Sequence, residues 1–216
     1  MTAAYLTFLS QLPRRFDEIG SVIPSGKALS HVMTSPIREV APPRRILEVG
    51  PGTGPFTREI IPLMRLEDEL VVSEINAKLL RQLKKSLEND SRFSNKLHNV
   101  KFIEGPVQEI LQNGESGPYD VIICSLPFLN FTPEMTEEIM SLFHQTLAPG
   151  GTLAFFEYAG LREWAVTFTL PNNKKRVKGV EDVISSWKNR AAKEGSLRKE
   201  LTLANFPPAN SYFLKF

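Results

Sequence analysis

The sequence predicts an α/β protein in which strands and helices alternate around a mostly parallel sheet, and two stretches carry most of that reading. The first, Arg45-Ile46-Leu47-Glu48-Val49-Gly50-Pro51-Gly52-Thr53-Gly54-Pro55-Phe56, is an apolar strand that enters a turn with glycine at alternate positions and then a helix. The second, Leu70-Val71-Val72-Ser73, is another apolar strand and ends in Glu74, twenty residues beyond Gly54. Glycines let a backbone fold sharply beneath a ligand with no Cβ in the way. The helix after the turn aims its free amides into the same crevice. A carboxylate ending the second strand stands where a doubly wound fold grips two ribose hydroxyls. The pairing points to a nucleoside cofactor.

The remaining elements follow in order. Ala77 to Leu87 carries apolar residues at 79, 80, 83 and 87 with Lys and Arg between them, one face of a helix. Val100 to Glu104 reads as a strand, Val107 to Leu111 as a short helix, and Tyr119 to Cys124 as a strand buried on both faces by its near-continuous apolarity. Thr132 caps a helix with Pro133 at its first position that runs to about Leu147. Ala148-Pro149-Gly150-Gly151 then turns the chain into the strand Thr152 to Tyr158, and Val180 to Glu194 reads as a helix with Val180, Val183, Ile184, Trp187 and Ala191 on one face. Strands separated by helices place the ligand at the carboxyl ends of the strands. No internal repeat or linker marks a second domain, so residues 1–216 are expected to form one domain, with amphipathic helices over about residues 1–40.

The glycine spacing selects among cofactors. A dinucleotide fingerprint has glycine at its first, third and sixth positions, with pyrophosphate on the helix N-terminus. Here the third glycine falls at the fifth position, Pro55 occupies the sixth, and Glu48 stands two residues before Gly50. No Gly-Lys-Ser/Thr follows, which excludes a Walker phosphate loop. This E-x-G-x-G-x-G pattern resembles the first motif of class I S-adenosylmethionine-dependent methyltransferases, whose ligand has no phosphate. The resemblance implies a Rossmann-like methyltransferase fold with a seven-stranded, mostly parallel sheet and helices on both faces. Glu48, Gly50, Gly52, Gly54, Glu74, Ile75, Gly105, Val107 and Ser125 are then the candidate cofactor-binding residues.

Composition fits one enzyme-sized domain: 216 residues, 42% hydrophobic and 23% charged. The single cysteine, Cys124, lies in an apolar run and reads as a core residue. No apolar run approaches the ~20 residues that span a bilayer, and the N-terminus lacks the pattern of a signal peptide, so a cytoplasmic protein is expected. A net charge of +2 gives little support to an RNA-wrapping protein, and no nucleic-acid partner is expected. His31, His98 and His144 are isolated, without metal-ligand spacing. His31 or His144 could accept a proton if either faced the pocket.

At the end of the fourth strand stands Ser125-Leu126-Pro127-Phe128. Methyltransferases that modify an exocyclic base amine place Asn or Asp there, followed by Pro and an aromatic. A serine hydroxyl cannot reproduce that two-point grip, which disfavours adenine dimethylation.

A more specific resemblance runs along most of the chain in order. Phe8 through Met33 with Pro24-Ser25, Leu47 to Phe56, Ser125-Leu126-Pro127, Leu147 to Gly151, Phe156 to Gly160 and Asn205-Phe206-Pro207-Pro208-Ala209 are similar to bacterial phospholipid N-methyltransferases, which methylate phosphatidylethanolamine toward phosphatidylcholine. The likeness implies S-adenosylmethionine as donor, transfer to a head-group amine of phosphatidylethanolamine and its methylated forms, and a peripheral protein on anionic lipid at the inner face of the cytoplasmic membrane. It places Tyr158 and Ser125 in the catalytic role, with Pro127, Phe128 and Tyr158 lining the acceptor side. A monomer is expected. A soluble small-molecule methyltransferase and an rRNA adenine methyltransferase are the competing readings.

Two stretches depart from that family. Glu104-Gly105 is followed by Pro106 where Asp is common, leaving the adenine contact to backbone groups, Val107 or Gln108. The region from Leu161 to Ser196 is longer than expected and could reshape the acceptor pocket. In the N-terminal region, Tyr5, Leu9, Leu12, Phe16 and Ile19 form an apolar stripe beside Arg14 and Arg15, suited to a membrane interface or to a lid over the sheet. Lys174, Lys175, Arg176, Lys178, Lys188, Arg190, Lys193, Arg198 and Lys199 form a basic region read as a solvated face, with anionic lipid as the next reading.

Overall fold

The computed structural model describes residues 26–159 and 171–216. The N-terminal stripe from Tyr5 to Ile19 and the first part of the 161–196 region lie outside them. Two short helices, α1 (Lys27–Met33) and α2 (Pro36–Glu39), precede β1 (Arg45–Val49), α3 (Thr57–Leu63), β2 (Glu69–Glu74), α4 (Ala77–Glu88) and β3 (Val100–Glu104). Then come α5 (Val107–Gln112), β4 (Tyr119–Cys124), α6 (Pro133–Thr146), β5 (Leu147–Tyr158), α7 (Pro171–Glu194), β6 (Ser196–Thr202) and β7 (Ala209–Lys215).

The seven strands form one sheet in the order β3-β2-β1-β4-β5-β7-β6. β1 to β5 pair in parallel, whereas β7 is antiparallel to both β5 and β6. Alternation along each strand divides the core in two. Leu47 and Val49 face one cluster with residues of α5, α6 and α7, while Ile46 faces the other with residues of α1 to α4. Central strands buried on both faces explain the near-continuous apolar runs in β1, β2 and β4.

Local chemistry sets the helix boundaries. The Asn76 side chain accepts hydrogen bonds from the amides of Lys78 and Leu79 at the start of α4, and Thr132 accepts from Met135 at the start of α6. At the amino ends of the strands, Arg44 and Asp68 form a buried ion pair, and the Arg44 guanidinium also donates to the carbonyls of Ile37 and Leu63.

Two boundaries differ from the sequence reading. β5 begins at Leu147, not Thr152, because Ala148 to Gly151 is accommodated as an irregularity between the Tyr119–Leu147 and Val121–Thr152 pairs. The Gly150 amide there donates to the Phe216 carbonyl at 2.8 Å. α7 begins at Pro171, nine residues before Val180, and runs through Gly179. A glycine fits at that position because a Cβ would lie 2.6 Å from Cγ of Pro133, so the missing side chain lets α7 approach α6. Arg176, expected on a solvated face, is half-buried and donates to the carbonyls of Leu129 and Phe131, both at 2.6 Å.

Candidate active site

The carboxyl ends of β1, β2, β3, β4 and β5 bring together most of the residues singled out above. Gly50, Gly52 and Gly54 all adopt positive φ, at 70°, 56° and 83°. Their surroundings differ. A Cβ on Gly52 would meet nothing within 4 Å, so this is where the turn leaves room for a ligand. A Cβ on Gly54 would lie 2.2 Å from Cδ1 of Leu83 on α4, and one on Gly50 would touch Leu126 at 3.4 Å. Gly54, expected to admit the cofactor directly, therefore serves the close packing of the turn on α4.

Glu74 faces the turn from β2. One carboxylate oxygen accepts from the Gly52 amide at 3.2 Å and the other from the Asn76 amide at 2.9 Å. Burial raises its pKa, opposed by the amides of Asn76, Gly52 and Ile75. Ile75 is half-buried beside it. The Gly105 amide donates to the Glu74 carbonyl at 3.1 Å, which draws the β3 loop to the same place and sets Val107, 3% exposed, at the start of α5. The next residue, Gln108, is 8% exposed and its side-chain oxygen has no hydrogen-bond partner.

Glu48 is fully buried beneath the turn, and neither of its oxygens completes a hydrogen bond. Burial pushes its pKa up to about 8; the Thr57 hydroxyl and amide restrain the rise and the Glu74 charge adds to it. Neither Glu48 nor Glu74 has a cation among the groups that shift it. Two buried carboxyls in one crevice with a glycine gap between them fit a positively charged nucleoside, as S-adenosylmethionine is. The orphaned Gln108 oxygen adds an acceptor at the β3 side of the crevice.

The residues expected on the acceptor side lie at the ends of β4 and β5. Ser125 is half-buried, with its amide bonded to the Val49 carbonyl at 2.9 Å. Pro127 is exposed. Phe128, expected to line the acceptor side, is 6% exposed and packs edge-on against Phe131 and Phe155 in the core, because a 3-10 turn over Phe128–Asn130 folds its ring back beneath the loop. Tyr158 is half-buried at the tip of β5. Its ring packs edge-on against Phe156 at 5.2 Å, and Phe156 packs edge-on against Phe56 at 5.8 Å, so an aromatic row joins the glycine turn to Tyr158.

The histidines lie elsewhere. His31 is exposed on α1 near Arg38, His98 is at the amino end of β3, and His144 packs against Trp187 and Phe216 at the end of α6. No group of three metal-ligating side chains occurs among the described residues. Two broad surface depressions among the described residues also lie away from the turn, one at the amino ends of β2 and β3 and one on the outer face of α7.

Comparison with known proteins agrees with this geometry. Residues 46–151 match the family described as a methyltransferase domain. An ornithine lipid N-methyltransferase from Singulisphaera acidiphila is 30% identical over 152 residues, covering 68% of this chain and 74% of that protein. A ubiquinone/menaquinone biosynthesis C-methyltransferase from Wigglesworthia glossinidia brevipalpis is 30% identical over 123 residues, covering 55% of this chain and 44% of that protein. Among solved structures, the O-methyltransferase TomG from Streptomyces achromogenes, in complex with S-adenosylmethionine, superposes with a TM-score of 0.63 over 97% of this chain and 90% of that one, at 15% identity. The strand order, the crevice between Glu48 and Glu74 and these relatives together assign the chain to the class I S-adenosylmethionine-dependent methyltransferases.

Proposed function

We propose that this methyltransferase acts on the head-group amine of a phospholipid, phosphatidylethanolamine and its methylated forms. The observation that carries the reading is the similarity to an ornithine lipid N-methyltransferase, which extends over 68% of the chain, more than the 55% matched by the quinone C-methyltransferase. Ser125 in place of Asn or Asp argues against a flat base amine, and the modest overall charge argues against a long RNA track.

The cofactor supplies an electrophilic methyl group on a sulfonium. The chain's residues hold and align the two partners. Gly52 would leave room for the donor, Glu48 and Glu74 would balance its charge with Glu74 receiving its ribose, and Ile75, Gly105, Val107 and Gln108 would border the base. Transfer to an amine nitrogen held neutral would form the N–C bond as the methyl's bond to sulfur breaks; a nitrogen that still carries hydrogen would then lose a proton to water, whereas the transfer that makes it quaternary leaves no proton to lose. Ser125 accepts a hydrogen bond from the amine while it still carries hydrogen. Tyr158 offers a ring face, and that attraction persists when the nitrogen becomes quaternary and can no longer donate. Such an acceptor is reached at the surface of an anionic membrane, where the protein attaches peripherally. No helix among the described residues is long and apolar enough to cross a membrane.

The test is direct. Purified protein with radiolabelled donor should methylate phosphatidylethanolamine in anionic vesicles, and Tyr158→Ala should lose turnover while keeping donor affinity. Transfer to ribosomal RNA or to a soluble amine, with none to lipid, refutes the reading.

A further inference from the structure

Asn205-Phe206-Pro207-Pro208-Ala209 has no part in the crevice described above, yet it is tightly built. The last rungs of the sheet pair Tyr158 with Ala209 and Ala209 with Thr202, so the β6–β7 connection, residues 203–208, lies at the carboxyl end of the parallel strands beside Tyr158. Asn205 is 3% exposed at its centre. Its side-chain oxygen accepts from the Gly26 amide at 2.7 Å, and its side-chain nitrogen donates to the Pro207 carbonyl at 2.8 Å. The Pro208 carbonyl accepts from the Ala159 amide at 2.7 Å. The connection is thus clamped to β5 on one side and to the start of α1 on the other.

What this clamp presents is apolar. Leu203 is 72% exposed and Phe206 76% exposed, with Leu201 next to them at 55%. Among the described residues the other strongly exposed large apolar side chain, Leu66, lies at the opposite end of the sheet, just before β2. Scattered exposed leucines are ordinary, but apolar side chains gathered on one anchored protrusion at the mouth of a site call for a partner. Lys27 and Lys199 are both exposed, one just beyond Gly26 and the other on β6. An apolar tip flanked by lysines is complementary to an anionic bilayer, where rings and aliphatic chains enter the acyl boundary and ammonium groups meet phosphates.

We propose that the β6–β7 tip is an insertion element that seats the mouth of the site on anionic lipid through Leu201, Leu203 and Phe206. This rests on the reading of the acceptor as a membrane lipid. It assigns docking to a segment separate from the N-terminal stripe and fixes which end of the molecule faces the bilayer. Because Asn205 is bonded in the interior while its neighbours point outward, the tip is ready before contact and little ordering is lost on insertion.

The experiment uses the full chain carrying Leu203→Ser and Phe206→Ser together. Flotation with vesicles containing phosphatidylglycerol and phosphatidylethanolamine should show association weakened by about 10-fold or more, as expected for withdrawing two apolar side chains from a membrane. Melting temperature and donor affinity should stay at the parent's values, as should methylation of a short-chain phosphatidylethanolamine below its micellar concentration. Parental flotation by the double variant overturns the proposal. So does an early-melting variant that still floats, which would make the tip a seat for another part of this chain, and so does a parent dimer that the variant breaks, which would make it a self-association face. If the parent floats through the tip but methylates no lipid, the insertion element stands and the acceptor reading falls.

Discussion

Replacing Glu48 with glutamine separates what this carboxyl does for the folded chain from what it does for the donor. Burial lifts its pKa from 4.5 to about 8 in the folded protein. Between those values the folded chain holds a proton that the unfolded chain has released, so the stability contribution is fully present below the lower value and is lost as pH rises through the upper one. The slope is ~1.4 kcal/mol per pH unit, on the order of 4 kcal/mol across the window. Glutamine does not titrate, so the variant's stability should be flatter with pH. After ~2 kcal/mol for the unmade hydrogen bonds of a buried amide, it should exceed the parent at pH ~8 by about 2 kcal/mol, or roughly 4–8 °C in melting temperature. A bound sulfonium reverses the preference by favouring the carboxylate. Donor binding by the parent should release a proton below pH ~8 and tighten as pH rises, whereas Glu48→Gln should release fewer protons there and bind ~10-fold to 100-fold more weakly. Scanning calorimetry across pH, with titrations in buffers of different ionisation enthalpy, reads both effects. Parallel stability curves for parent and variant, or equal proton release, would refute the reasoning.

Further predictions follow from neighbouring geometry. Glu74→Ala should weaken donor binding by about 1–3 kcal/mol in a folded protein, since a charge-assisted bond to ribose is lost; unchanged calorimetric affinity would remove Glu74 from the site. The glycine turn should split into two phenotypes. Gly54→Ala, with φ at 83° and a Cβ 2.2 Å from Leu83, should lower stability by roughly 2–4 kcal/mol in chemical denaturation. Gly52→Ala, with open space around it, should lower stability by only ~1–2 kcal/mol while donor affinity falls further. Asp68→Asn should cost about 3–5 kcal/mol of stability by leaving the buried Arg44 charge uncompensated, with the donor affinity of the surviving folded fraction unchanged.

The central half of the fold was legible because buried parallel strands and amphipathic helices leave strong patterns: β1 to β4 and the caps at Thr132 and Pro133 stand where the sequence puts them. The failures share a cause, since each depends on a partner distant in sequence. Ala148 to Gly151 reads as a turn until β5 has β4 beside it and Phe216 to bond. The apolar face from Val180 to Ala191 marks only the later part of α7, and the segment before Gly179 becomes helix where that glycine lies against Pro133, although Pro171 itself is a good first residue for a helix. Phe128 reads as a strand-end aromatic free for ligand, and only the Phe131 and Phe155 rings turn it inward. In the site, the carboxyls and the turn were visible as types and spacing. The difference between Gly52 and Gly54 was not, because it is set by Leu83 on α4. Arg176 carried only composition as a signal and Asn205 only its place in a family-like segment, and their partners are a set of carbonyls and an amide that no local pattern announces.

Under the proposed function, the aromatic row from Phe56 through Phe156 to Tyr158 would act as a ruler between the donor turn and the acceptor wall. Interlocked rings resist compression, so the gap they set would stay nearly constant as the proposed lipid amine gained one methyl at each transfer. Product size, not binding strength, would then stop the sequence: the last methyl added is the one whose bulk can still be accommodated by a tilt of Tyr158, and the number of transfers becomes a property of a distance.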